Sequence, residues 1–204
     1  IIGQESERLT HLVNNILNFS KMEAGKKTYQ FDRVDVNSIA ARVIDSYCYH
    51  LESNGFSLES NLEDDLPAIR GDENAIFESI INLIDNAMKY SGESRWVGLS
   101  TGRKGNAVFL EVADRGVGIP GDQQAHIFDK FYRVSSGLVH NTKGSGLGLS
   151  LVQHIMDAHK GRIQVFSEVS RGSRFRLLFP VSGERSGTEG QIIATADITT
   201  GEKE

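Results

Sequence analysis

The sequence predicts an α+β fold: a mixed sheet covered on one face by helices. Amphipathic stretches of helical period are separated by strand-like hairpins, and the strict strand–helix alternation of a doubly wound sheet is missing. The 204 residues are enough for one sizeable core, perfectly ordinary in composition at 39% hydrophobic and 24% charged. With 22 basic against 27 acidic residues, a net charge of -5 and no long basic run, nucleic acid is not an expected partner. The single cysteine, Cys48, excludes an internal disulfide framework and suits a reducing compartment. No apolar run reaches membrane-spanning length, no signal peptide is recognised, and the first residue is not Met. The expectation is a cytoplasmic piece of a longer protein that makes no membrane contact itself, with any sensory or membrane segment upstream.

The elements follow in order. Over residues 5–23, Leu9, Leu12, Val13, Ile16, Leu17 and Phe19 form a wide apolar face that Gly25 terminates, so an amphipathic helix in need of a partner is expected. His11 lies on its polar face and reads as a surface or packing residue. Residues 26–33 are polar and read as a linker. Asp35 or Asn37 then caps a helix outlined by Ile39, Val43, Ile44 and Tyr47 and ended by Asn54-Gly55. Residues 56–62 alternate as a strand, and residues 66–69 suggest a short edge strand. Asp72 caps a central helix whose core face is Ile76, Ile80, Leu83, Ile84 and Ala87. Two strands, 96–101 and 107–113, are joined at residues 103–106 as a hairpin. A loop over 115–121 leads to a short helical segment at 122–132 and a loop at 134–144. Leu147, Leu151, Val152, Ile155 and Met156 make the last helix, stopped at Lys160-Gly161, and strands 162–168 and 174–179 close a final hairpin. Beyond Pro180 the composition shifts to Gly, Ser, Thr and Glu, a tail with one possible extra strand at 191–195.

Three stretches carry the chemistry. On the central helix Glu78, Asn82, Asn86 and Lys89 stack into one polar stripe, where two carboxamide oxygens and an ammonium could meet a metal and a phosphate; a solvated face is the alternative. Asp114, directly after a strand and before Gly116 and Gly118, is a carboxylate that half-burial would leave in need of a donor, such as an adenine amine; a plain turn is the alternative. Gly144, Gly146 and Gly148 open the last helix, and glycine-lined amides at a helix N-terminus bind anions. This is neither a Walker nor a Rossmann sequence. Residues 135–143 could close over a nucleotide, or be a simple surface loop. Lys130 and Arg133 stand at its entry, placed to meet phosphate charge.

The order of these boxes, with a Phe-rich segment at 127–133 and a closing Gly172-Ser173-Arg174-Phe175, resembles the catalytic ATP-binding domain of sensor histidine kinases over roughly residues 35–180. The first helix resembles the second arm of that family's dimerisation and phosphoacceptor hairpin, and the arm bearing the acceptor histidine is not in the sequence. The resemblance implies a Bergerat-fold α/β sandwich holding ATP and Mg²⁺. Its catalytic residues would be Asn82, Asn86, Lys89 and Arg133. Asn86 would ligate the metal with help from Asn82, Lys89 and Tyr90 would contact phosphate and lid, and Asp114 would read adenine. Lys130 and Arg133 would face the terminal phosphates. Gly116, Gly118, Gly144, Gly146 and Gly148 would shape the pocket, with Ile119, Ser145, Leu147 and Ser173 among the nucleotide contacts. It also implies a response-regulator receiver domain as partner and a homodimer through the hairpin helices. The expected organisation is hairpin helix 1–26, linker 27–34, catalytic domain 35–181 and tail 182–204. The hydrolytic relatives of the superfamily place Glu one turn before the metal Asn. Here that position is Asn82, which cannot take a proton from water, so transfer to an external nucleophile is the expected chemistry, with a Bergerat-type ATPase, a serine kinase or a nucleotide-sensing module as alternatives.

Overall fold

The computed structural model describes residues 27–133 and 145–181. The elements are β1 (Asp32–Val34), α1 (Val36–Ser53), β2 (Ser57–Leu62), β3 (Ile69–Gly71), α2 (Glu73–Tyr90), β4 (Trp96–Lys104), β5 (Ala107–Asp114), α3 (Gly148–Ala158), β6 (Arg162–Glu168) and β7 (Gly172–Pro180). Five strands form one sheet in the order β2-β4-β5-β7-β6. Only β2 and β4 run parallel, because the chain crosses over through β3 and α2 between them. The other neighbours are antiparallel, so the sheet is mixed, and the α+β class holds.

The strands' period of two sorts the sheet's faces. Leu99, Val112, Phe175 and Val165 lie in one cross-strand row, and Thr101, Leu110, Leu177 and Ile163 in the next. All eight are buried, and α1, α2 and α3 pack over them. From α2, Ile76, Ile80, Leu83 and Ile84 are fully covered, each worth about 1.5–3 kcal/mol relative to exposure. The opposite face is polar and aromatic: Arg176 donates to Glu111 at 2.8 Å and lies over the Phe109 ring.

Asp72 acts as the expected cap, and of the two candidates Asp35 and Asn37 it is Asp35 that caps α1. Asp35 accepts from the Asn37 amide at 3.0 Å and Asp72 from that of Ala75 at 3.0 Å. The structure departs from the sequence expectations in three places. The stretch expected as a linker contributes β1, which pairs antiparallel with β3 and buries Val34 beside Ile69. Residues 122–132 form no α-helix. They are successive turns with bonds such as His126 N–H to Gln123 O and Asp129 N–H to His126 O, held down by the buried Ile127 and Phe128. The edge strand falls at Ile69–Gly71, not 66–69, since Pro67 lacks the amide that pairing needs. The expectations for residues 1–26, 134–144 and 182–204 lie outside the described residues.

Candidate nucleotide site

α2 and α3 pack together and bring two of the predicted boxes into one place. Asn82 is 5% exposed, and its Nδ2 donates to the Glu78 carbonyl one turn back at 2.9 Å. That bond turns Oδ1 toward α3: a Cβ added at Gly148 would lie 3.3 Å from Asn82 Oδ1 and 3.9 Å from Asn86 Nδ2. Glycine at 148 therefore lets the first turn of α3 approach both carboxamides. Leu147, the N-cap of α3, has no side-chain cap bond, so among the described residues no cap side chain satisfies the amides of the first turn. Ser145 Oγ accepts from the Leu147 amide at 3.4 Å, and Leu147 itself is buried. Gly146 supplies a left-handed bend at φ 71° against Phe131, whose amide donates to the Gly146 carbonyl at 3.1 Å. The Phe-rich segment is thus tied to the glycine loop.

The Asp114 box forms at the end of β5. Asp114 is 8% exposed, and its Oδ1 accepts from the amides of Gly116 at 2.8 Å and Ser173 at 3.3 Å. Burial pushes its pKa above the usual carboxylate value, and the two amides pull it part of the way back. Both bonds use the same oxygen, Oδ1, and among the described residues no hydrogen bond to Oδ2 is seen. The loop behind it is threaded tightly. A Cβ at Gly116 would lie 2.0 Å from the Tyr90 carbonyl, and one at Gly118, where φ is 68°, would lie 2.0 Å from the Glu168 carbonyl. The Tyr90 carbonyl accepts from the Val117 amide at 3.0 Å, so the end of α2 buttresses the loop after Asp114. The two halves of the site share that contact.

Of the remaining predicted residues, Ile119 is anchored by its amide to Ser167 Oγ at 2.8 Å, and Ser173 is buried with its hydroxyl 2.9 Å from Ser167 Oγ. Lys89 Nζ lies 4.7 Å from the Tyr90 ring centroid. Lys130 and Arg133 are exposed on the segment that leads to residues 134–144. Gly144 is outside the described residues. Sequence reasoning missed Ser167 and Gln124. Ser167 also donates to the Gly172 carbonyl at 3.1 Å, and Gln124 Nε2 donates to the carbonyls of Ile119 and Ser167, both at 3.0 Å. Neither residue sits in a motif; a polar serine in the otherwise alternating β6 was the one local signal.

A metal has a limited donor set here. Among the described residues no group of three or more His, Cys, Asp or Glu side chains converges. The Asn82 and Asn86 carboxamides offer hard oxygen donors, which suit Mg²⁺ brought in on a polyphosphate and do not suit a cage made by protein alone.

Comparison with known proteins identifies the family. Residues 71–183 match the family model described as histidine kinase-, DNA gyrase B-, and HSP90-like ATPase. The chain is 34% identical over 183 residues to the sensor protein RprX of Bacteroides fragilis, covering 89% of this chain and 35% of that protein. It is 31% identical over 179 residues to the sensor-like histidine kinase SenX3 of Mycolicibacterium smegmatis, covering 86% and 46%. The chain therefore spans between a third and a half of these curated relatives. Among solved structures, full-length ShkA in complex with AMPPNP superposes with a TM-score of 0.74 at 26% identity, covering 89% of this chain and 38% of that one. The catalytic domain of the histidine kinase ThkA shares the fold, with a TM-score of 0.64 over 74% of this chain and 96% of that one at 22% identity. The matched model spans the capped central helix, the Asp114 loop and the glycine-led α3, and on that match the chain belongs to the histidine kinase-, DNA gyrase B- and HSP90-like ATPases, as an ATPase domain of the sensor histidine kinase kind.

Proposed function

We propose that this chain is the catalytic portion of a sensor histidine kinase: it binds Mg-ATP and transfers the γ-phosphate to a histidine on a hairpin helix, for relay to an aspartate of a response-regulator receiver domain. The observation that carries this is Asp114. A buried carboxylate with one oxygen held by two amides presents its second oxygen in fixed direction, the arrangement that an adenine amine needs. Asn86, with Asn82, would hold the metal; the uncapped start of α3, with Lys89, Lys130 and Arg133, would receive the phosphates. Bound Mg²⁺ supplies neutralisation of phosphate charge during in-line transfer.

Asn82 favours transfer over hydrolysis. Its amide is committed to the Glu78 carbonyl and it has no basic lone pair for a water proton. The chain's own contribution is therefore positioning, which is worth most when the incoming nucleophile is another protein side chain. By this reading residues 1–26 are the second hairpin arm, and dimerisation runs through the paired hairpins. Calorimetry with Mg-ATP, followed by incubation with γ-labelled ATP and a supplied acceptor hairpin, tests the reading. Acid-labile, base-stable label on the hairpin is expected. Release of inorganic phosphate with no label on the hairpin would replace the kinase by an ATPase.

A further inference from the structure

His159 is 3% exposed at the C-cap of α3, and the nucleotide chemistry makes no use of it. Both ring nitrogens are engaged. Nδ1 lies 2.7 Å from the Ile155 carbonyl and must donate to it, while Nε2 accepts from the Asp72 amide at 2.8 Å. Only the neutral imidazole with its proton on Nδ1 satisfies both bonds. Asp72 is the N-cap of α2, and its other oxygen, Oδ2, accepts from the Gln30 amide at 2.8 Å. The chain just ahead of the ATPase domain is thereby joined to the same cluster. The rings of Tyr29 and Phe31 pack on the imidazole at 5.7 and 4.9 Å between centroids, and Lys27 pairs with Glu78 at 3.1 Å, one turn before Asn82.

We propose that His159 is a positioning residue: as a neutral imidazole it locks the head of α2 to the tail of α3 and seats residues 27–31 on both, and its protonation releases that segment. The phosphotransfer consequence rests on the function proposed above, because α2 carries Asn82 and Asn86 and α3 begins at Gly148. Residues 27–31 would set where the chain that precedes them stands relative to those groups.

An imidazolium would place an N–H against the Asp72 N–H, two donors with no acceptor between them. The Asp72 amide would lose its partner and the N-cap that holds Gln30 would loosen. The surroundings favour the neutral form. Tyr29 from the incoming segment is a phenol whose own pKa is pushed up to about 12, and Phe31, Phe179, Gly71 and Ile76 carry no charge. The Asp72 carboxylate acts in the opposite direction, and burial outweighs it, holding the imidazole below its ordinary pKa.

The test is nuclear magnetic resonance on the whole chain from pH 8 to 5.5, reading the His159 tautomer and the exchange of the Gln30 and Asp72 amides corrected for intrinsic rates. The expected result is an Nδ1–H tautomer at pH 8 and exchange at both amides that rises by up to about tenfold per pH unit as pH falls below the free-imidazole pKa of about 6.5, levelling off only below the lowered pKa of the buried ring, one proton per opening. In His159→Gln, whose side-chain oxygen can accept from Asp72 but cannot titrate, the step should vanish. Flat exchange at both amides, an Nε2–H tautomer, or a pH step that persists in His159→Gln would overturn the proposal. If His159→Gln does not fold, the wild-type tautomer and exchange profile still decide. Binding of an ATP analogue to the same samples at pH 8 checks the site separately: its absence would overturn the nucleotide reading and the phosphotransfer consequence, whereas the exchange profile judges the histidine lock on its own.

Discussion

Asp114 Oδ1 accepts the amide of Ser173 from 59 residues further along the chain, at 3.3 Å. This bond joins the end of β5 to the start of β7, and with the Gly116 amide it fixes a carboxylate that burial alone would disfavour. Burial of Asp114 therefore works against the charged form in the folded state, and the two amides offset part of that cost.

That cost has a sign. Because the folded pKa of Asp114 lies above its unfolded value, its contribution to stability is greatest below the unfolded pKa and is lost as pH rises through the folded one. Asp114→Asn keeps the acceptor oxygen for both amides and removes the charge. We expect the melting temperature at pH 7 to hold or rise, while affinity for Mg-ATP falls roughly tenfold or more, about 1.5–3 kcal/mol for a lost charged hydrogen bond. Calorimetry showing unchanged affinity would remove Asp114 from the adenine role.

Asn82 and Asn86 should separate by phenotype. Asn82 is buried and bonded to the Glu78 carbonyl, so Asn82→Ala should lower stability by about 1 kcal/mol as well as weaken binding. Asn86 is half-buried, and Asn86→Ala should leave the melting temperature near wild type while impairing Mg²⁺-dependent ATP binding more strongly. ATP titrations at varied Mg²⁺, alongside thermal melts, rank the two. Equal loss of binding in both would overturn the ranking.

Gly118→Ala should be far worse than Gly105→Ala. Both positions have φ near +60°, which costs a side chain about 1–2 kcal/mol. A Cβ at Gly105 meets nothing within 4 Å, whereas one at Gly118 meets the Glu168 carbonyl at 2.0 Å. Denaturant melts should show a difference between the variants of roughly 1–3 kcal/mol from overpacking. Equal costs would mean that the loop after Asp114 shifts freely.

His159 predicts an acid-side loss of stability. Its folded pKa is lowered, so the unfolded chain takes the proton first, and stability present above the unfolded pKa of about 6.5 declines as pH falls through it. Denaturant titrations from pH 8 to 5.5 should show a steeper decline in wild type than in His159→Gln.

Alone with γ-labelled ATP, the chain should acquire no acid-labile phosphate, since His11 reads as a packing residue and no acceptor arm accompanies it in the sequence. Transfer to a supplied hairpin should be slow, because that hairpin must first pack against the apolar face that the sequence leads one to expect over residues 5–23. Acid-labile label on the chain itself that disappears in His11→Ala would show that residues 1–26 carry the acceptor.

The sequence by itself determined the elements that rest on local chemistry. Asp72 could be named as a cap, and Asp35 as one of two candidates beside Asn37, because an aspartate ahead of a helical apolar stripe satisfies that helix's first amides. The α+β class followed from periodicity, Asn82 and Asn86 could be singled out by their helical spacing and Gly148 by its place at a glycine-led helix start, and the order of the boxes carried the family resemblance. The segment 122–132 was misread as helix because its i to i+3 turns have nearly helical spacing, and what holds them is Ile127 and Phe128 reaching a distant core. Tertiary structure alone decided that residues 32–34 pair as a strand, that Ser167 and Gln124 support the loop after Asp114, and that His159 meets the Asp72 amide 87 residues away. Those partners are set by how strands and helices stack. No local pattern of apolar and polar residues encodes which distant amide a buried side chain will face.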